Sequence, residues 1–262
     1  MMKAMATFLE LHAPGTPLLM PNPWDTGSAK LLASLGFKAL ATTSSGFAAT
    51  LGRLDGNVTR DEAIEHARVI VQATDLPVNG DLENGFADDA DGVAETVRAA
   101  IDAGLAGCSI EDWSGDAIYE REHAAERVRA AAEASDGRIV LTARAENLIH
   151  DRDDLADTIA RLQAFQEAGA DVLYAPGLTR IDDIRRVVSE VDLPVNVLAL
   201  PAAPPVAELA QAGVARISIG GGFAYVAMGA VVRAANELRD QGTYGFWETA
   251  AVGAKAWRDA NR

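Results

Sequence analysis

Apolar and polar positions along this chain alternate between two rhythms. Short runs rich in aliphatic and β-branched residues fall at 18–22 (LLMPN), 39–45 (ALATTSS), 77–85 (PVNGDLENG) and 107–113 (GCSIEDW). Four more fall at 139–147 (IVLTARAEN), 171–177 (DVLYAPG), 194–200 (PVNVLAL) and 216–221 (RISIGG). Each reads as a buried strand. The stretches between them, such as TRDEAIEHARVIVQAT and DDLADTIARLQAFQEAG, place apolar residues at i, i+3, i+4 and read as amphipathic helices. Thr59 and Glu62 form a capping box ahead of one such helix. Gly36, Gly104, Gly169 and Gly213 stand where a helix would end in a left-handed C′ residue.

Eight strand–helix units in 262 residues predict an α/β fold, a (β/α)8 TIM barrel, as one domain over residues 1–262. A doubly wound open sheet is the alternative. It usually has fewer units and a glycine-rich first turn, and the chain has no GxGxxG. The first residues predict an additional helix before strand one. Thr243–Arg262 predicts an additional C-terminal helix carrying Phe246, Trp247 and Trp257, aromatics that need the barrel's underside or another subunit to cover them.

Composition narrows the function. Lys and Arg number 23 against 38 Asp and Glu, a formal net charge of −15. That argues against nucleic acid and against an anionic membrane surface as partners. No apolar run is long enough to span a bilayer, and the opening MMKAMATFLELHAPG makes a poor secretory signal, so a cytoplasmic location is expected. The single cysteine, Cys108, cannot form an internal disulfide and reads as a buried small hydrophobe within strand four.

In a (β/α)8 barrel the chemistry sits at the C-terminal ends of the strands. Polar residues that would be odd in buried strands gather there: Asn22, Thr42 to Ser45, Asp81, Glu83, Glu111, Asp112, Arg144, Glu146 and Asn196. Asp81 and Glu83 lie two apart and would share a strand face, with Glu111 on the next strand. Converging carboxylates repel unless protonated or bridged by a cation, and hard oxygen donors select Mg2+ or Mn2+. The plainer alternative is solvated strand ends. Arg144 can clamp a substrate carboxylate, or pair with Glu146 or Glu111. The Thr42–Gly46 run and the IGGG run after strand eight offer groups to an anion, or simply make turns. His12, His66, His123 and His150 all fall on expected helices or loops away from the strand ends, which suggests no histidine base or metal site.

These pieces, taken in order, resemble the isocitrate lyase/phosphoenolpyruvate mutase superfamily over nearly the whole chain. They are Asn22-x-Trp24-Asp25, ATTSSGFAATLGRLDG, GDLENGF, SIED, LTARAEN, PVNVLALP and SIGGGFAY. The DLENG form is similar to that of a phosphonomutase-like bacterial subgroup. The resemblance implies a Mg2+-dependent enzyme acting on a small 2-oxo or 2-hydroxy carboxylic acid through an enolate on the metal. It implies Asp81, Glu83 and Glu111 as the metal shell and Asp55 as an acidic neighbour. Arg144, Thr43, Ser44, Trp24 and Asn196 are the substrate-contact candidates. It also implies homo-oligomers, dimers or tetramers, with a swapped last helix. One departure stands out. The family's gating loop after strand four carries a catalytic Cys in lyases and an Asn in mutases, but here DWSGDAIYEREHAAERV enters the next helix almost at once. Tyr119 and Asp116 are the only replacements for the lost proton donor. Three readings follow: a C–C lyase or decarboxylase, a P–C mutase or hydrolase, and a non-catalytic oxo-acid-binding protein.

Overall fold

Every expected strand forms, and each is shorter than its apolar run. In the computed structural model, which describes residues 7–261, the strands are β1 (Leu18–Met20), β2 (Leu40–Ala41), β3 (Val78–Asp81), β4 (Gly107–Glu111), β5 (Val140–Arg144), β6 (Val172–Tyr174), β7 (Val195–Leu198) and β8 (Arg216–Ser218). The helices are α1 (Thr26–Ser34), α2 (Ser44–Thr50), α3 (Arg60–Gln72), α4 (Ala90–Asp102), α5 (Arg121–Ser135), α6 (Leu155–Glu167), α7 (Ile181–Glu190), α8 (Val206–Gln211), α9 (Gly222–Gln241) and α10 (Trp247–Ala260).

All strand pairs are parallel, in the order β1-β8-β7-β6-β5-β4-β3-β2. The remaining seam is drawn together by two hydrogen bonds. The Ala41 N–H donates to the Pro21 carbonyl at 3.1 Å, and the Asn22 amide donates to the Thr42 carbonyl at 2.8 Å. The result is a (β/α)8 barrel with helices outside.

Local signals act as the sequence suggests. Thr59 and Glu62 close a capping box at α3, and Asp25 with Ser28 closes another at α1; each cap is worth about 1 kcal/mol. Gly36, Gly104, Gly169 and Gly213 all take positive φ, between 85° and 102°. The main core lies between barrel and helices, from Leu32 and Ile70 round to Phe165 and Val187. A smaller cluster holds Phe8, Leu18, Met20, Val140 and Val172. Gly107 opens β4 beside it, where a Cβ would stand 2.6 Å from the Phe8 ring, so only glycine lets Phe8 seat. Cys108 is wholly buried, and burial pushes its thiol up to about 12.

Both terminal expectations meet partial answers. Residues 7–10 are helical before β1; the rest of the expected first helix lies outside the described residues. The C-terminal helix forms as α10, and Trp257 rests over Gly27 of α1, on the outer ring and not on the underside. Trp247 is exposed, and so are Val226, Val231, Val232 and Leu238 on α9. Among the described residues no helix is long and apolar enough to cross a membrane.

Candidate active site

Strand ends place the polar set. Asp81, Glu111 and Arg144 terminate β3, β4 and β5, and the register sets Glu111 directly beside Arg144. Arg144 is the hub. Its Nη1 donates to Asp81 Oδ1 at 2.8 Å, its Nη2 reaches Glu111 Oε2 at 3.0 Å, and its Nε donates to Glu146 Oε1 at 2.8 Å. The other oxygen of Asp81 accepts from the Ser44 N–H at 3.1 Å, and its own N–H donates to Thr42 Oγ1 at 2.8 Å. Both Arg144 and the carboxylates around it are thereby fixed.

Two cavities meet over this hub. An inner one of about 220 Å³ runs down the barrel past Ser44, Tyr174, Asn196, Arg216 and Gly221. An outer one of about 700 Å³ is bounded by Asp55, Glu83, Glu111, Trp113, Glu146 and His150. Ser44, Asp55, Arg144 and Ile149 line both. At Gly221 a Cβ would come within 2.5 Å of Ser45 Oγ and 2.8 Å of the Tyr225 ring, so any side chain there would displace these neighbours.

The electrostatics follow from crowding. Burial raises the Glu83 carboxyl to about 7, with Asp81 and Asp55 adding repulsion. Burial also lifts Asp55, against the pull of the Ser44 hydroxyl, and lifts Glu111 well above the ordinary carboxylate value despite Arg144. Burial works against the charge of Arg144, but Glu146, Glu111 and Asp81 outweigh it and hold the guanidinium pKa well above normal. Acid outnumbers base at the mouth, and the excess is resolved by proton uptake.

Several sequence expectations change. Asp81 and Glu83 do not share a strand face: β3 ends at Asp81, and Glu83 sits in a turn with φ +48°. Leu82 between them is buried in the core, and the Gly85 N–H donates back to its carbonyl at 2.8 Å, so the chain must curl. Glu83 still reaches the outer cavity. Tyr119 lines neither cavity; its hydroxyl donates to Asp88, and Arg127 lies 4.2 Å over its ring. Trp24 also faces elsewhere, in a surface groove with Phe47 and His66. Thr43 caps α2 through Gly46, and its hydroxyl meets that of Ser45. Asn196 has both ends engaged, by Ser218 Oγ at 2.9 Å and Arg216 Nε at 3.0 Å. Asp112 turns inward to Arg161 at 2.9 Å and the Glu146 N–H at 2.8 Å. Asp116 is exposed in the loop after β4, which closes as a small hairpin through a Trp113–Ile118 bridge.

Glu146 pairs with Arg144, one of the two partners the sequence offers, and three further contributors are absent from the sequence reading of the site: Arg216, Trp113 and His150. By sequence the histidines lie remote from the strand ends, yet His150 stacks on Trp113 at 3.7 Å between ring centroids and walls the outer cavity. The apolar run RISIG does contain a signal for Arg216, because a charge inside a buried strand needs a reason.

The donors suit a hard cation. They are carboxylate oxygens in excess over positive charge, with protons standing in for part of the missing charge. Among the described residues no three His, Cys, Asp or Glu converge as an ion cage, because Arg144 stands between Asp81 and Glu111. Mg2+ needs no such cage, since it keeps several waters and takes one or two carboxylates. Asp81, Glu83 and Glu111 are the residues that would hold it.

Comparison with known proteins finds relatives that share the fold and much of the sequence. The phosphoenolpyruvate phosphomutase family model matches residues 8–239. A solved structure from Burkholderia cenocepacia, put forward as a lyase/mutase, is 47% identical, covers 98% of this chain and 95% of its own, and superposes with a TM-score of 0.93. The 2-methylisocitrate lyase of Escherichia coli is 32% identical over 220 residues, 75% of this chain and 74% of its own. Oxaloacetate decarboxylase 2 of Pseudomonas fluorescens is 31% identical over 252 residues, 91% of this chain and 84% of its own.

Proposed function

The chain belongs to the phosphoenolpyruvate mutase/isocitrate lyase family of enzymes, and from that membership we propose a Mg2+-dependent C–C lyase or decarboxylase acting on a small 2-oxo or 2-hydroxy carboxylic acid. The observation that carries the proposal is Arg144 held by Asp81, Glu111 and Glu146 where two cavities meet at the barrel mouth. Bound Mg2+ would supply positive charge to the oxygen on which charge develops as the bond breaks.

The chain's own residues do the rest. Arg144 presents a fixed, planar cation to the substrate carboxylate. Ser44 aims its N–H and hydroxyl into the space between Asp81 and Asp55. Asp55, whose pKa burial raises, lines both cavities and is placed to relay a proton to a carbanionic product. Thr43 supports this loop as a cap. Tyr119 turns to Asp88 outside both cavities, so it is given no proton-donor role in this proposal. The name of the matching family model favours P–C chemistry as the second reading. Against it stands the short loop after β4, which carries no Asn.

The test is turnover of oxaloacetate, alkyl malates, methylisocitrate and phosphonopyruvate with Mg2+, followed by NMR, with Asp81→Ala as control. A C–C product lost in Asp81→Ala supports the proposal. Turnover of phosphonopyruvate alone overturns it in favour of P–C chemistry. Silence with retained Mg2+ binding favours an oxo-acid-binding protein. The protein is further proposed to form a homo-oligomer in the cytoplasm, with the exposed apolar positions of α9 and Trp247 of α10 covered by a second copy. Light scattering that shows a monomer at micromolar concentration rejects the assembly.

A further inference from the structure

Arg216 opens β8 with its side chain inside the barrel, and it is 2% exposed. Its Nε donates to Asn196 Oδ1 at 3.0 Å. Its Nη1 uses both hydrogens, on His12 Nε2 at 3.3 Å and Thr142 Oγ1 at 3.1 Å. These partners are neutral. His12 has its Nδ1 against the Phe8 carbonyl at 3.0 Å, which leaves Nε2 as the acceptor toward Arg216. Burial, then the charge of Arg216, pushes His12 down to about 3, so the ring stays uncharged at physiological pH.

Among the described residues no carboxylate pairs with Arg216, and the two N–H groups of Nη2 have no hydrogen-bond partner. Burial lowers its pKa to about 10, still far above neutral, so the cation persists. Asp81, Glu111 and Glu146 at the mouth are committed to Arg144. A buried guanidinium without a counter-charge is expensive unless something anionic reaches it. The inner cavity supplies the route, because Arg216 lines it together with Ser109, Tyr174, Asn196 and Ser218.

We propose that the floor of the inner cavity, at Arg216, binds a small anion: a carboxylate or an inorganic anion of similar size. The unfilled Nη2 donors hold it, and it balances a charge the fold leaves uncompensated. The site lies below the Arg144 hub, and its anion comes either from one end of a dicarboxylate substrate or from solution as chloride. The proposal stands on binding and does not require the lyase reading.

The experiment uses the full chain. Thermal stability is titrated with sodium chloride or sodium formate against sodium gluconate at constant ionic strength, for wild type and Arg216→Met. In parallel, wild-type crystals are soaked in sodium bromide and its anomalous signal is located. The expected result is a saturable rise in Tm whose midpoint weakens by about tenfold or more in Arg216→Met, as loss of a charged hydrogen bond implies, and bromide seated on the guanidinium. Oxalate then separates the sources: displacement of bromide assigns the site to a substrate carboxylate, and joint binding assigns it to a free anion. Should Arg216→Met fail to fold, the bromide position in wild type decides alone. No bromide at Arg216 in a saturated soak, with equal Tm in chloride and gluconate, overturns the proposal.

Discussion

Arg144 and Arg216 stand in the same barrel, each at the edge of the inner cavity, and their surroundings are opposite. Arg144 is gripped by Asp81, Glu111 and Glu146 within 3.0 Å. Among the described residues, the hydrogen-bond partners of Arg216 are Asn196, His12 and Thr142, none of them a carboxylate. At the mouth the fold supplies more negative charge than the arginine can balance, and Glu83 and Glu111 respond with raised pKa values. At the floor no described residue pairs a carboxylate with the arginine, and a histidine is kept neutral instead. The difference teaches that the same residue type serves two ends. One arginine organises acids that can hold a metal and a proton; the other keeps an unmet demand for an anion.

The largest effect should come from breaking the mouth. Arg144→Met is expected to lower kcat/KM by about 100-fold or more. It should also cost about 3–5 kcal/mol of stability at pH 8, because the carboxylates lose their shared cation. The cost should shrink at pH 5, where Glu83 and Glu111 can protonate. Urea melts at both pH values check this, and an equal cost at each would deny that carboxylate repulsion is the origin.

Next is the neutral histidine of the floor. The folded pKa of His12 is about 3 against an ordinary 6.5. Folding therefore excludes a proton that the unfolded chain takes up below 6.5. Stability should be full above that pH and fall as pH drops toward 3, at about 1.4 kcal/mol per pH unit. His12→Gln should flatten this limb relative to wild type, by about 2–3 kcal/mol at pH 4.5. Parallel curves for the two proteins would show that His12 titrates normally.

Arg216→Met should sharpen the contrast with Arg144. In buffer free of small anions it is expected to cost about 1 kcal/mol or less, since an apolar side chain replaces an unbalanced charge. A loss as large as that of Arg144→Met would mean that the floor is compensated after all. Smallest is the cavity wall. His150→Ala removes the stack on Trp113 and should raise KM a few fold with kcat unchanged and stability altered by less than about 0.5 kcal/mol. Steady-state kinetics on whichever acid turns over would show it.

The legible part of this molecule is local. Strand order, the helix cap at Thr59, and the glycines at 36, 104, 169 and 213 are written in patterns a few residues long. The parallel barrel follows from their repetition. Strand ends also told where Asp81, Glu111 and Arg144 must gather, because a barrel has one catalytic face.

Other features depend on contacts between residues distant in sequence. Nothing in Asp81-Leu82-Glu83 announces that burial of Leu82 curls the chain and puts Glu83 in a left-handed turn. Tyr119 and Trp24 looked like site residues by position, and their side chains found Asp88, Arg127 and a surface groove instead. His150 joined the mouth only because its loop folds over Trp113. Arg216 met His12 across 204 positions. The sequence by itself determined the barrel, its caps and the face where acids collect, because those are set by periodicity and backbone geometry. Tertiary structure alone decided which charges are balanced and which are left wanting, because compensation depends on distance in space and on exclusion of water.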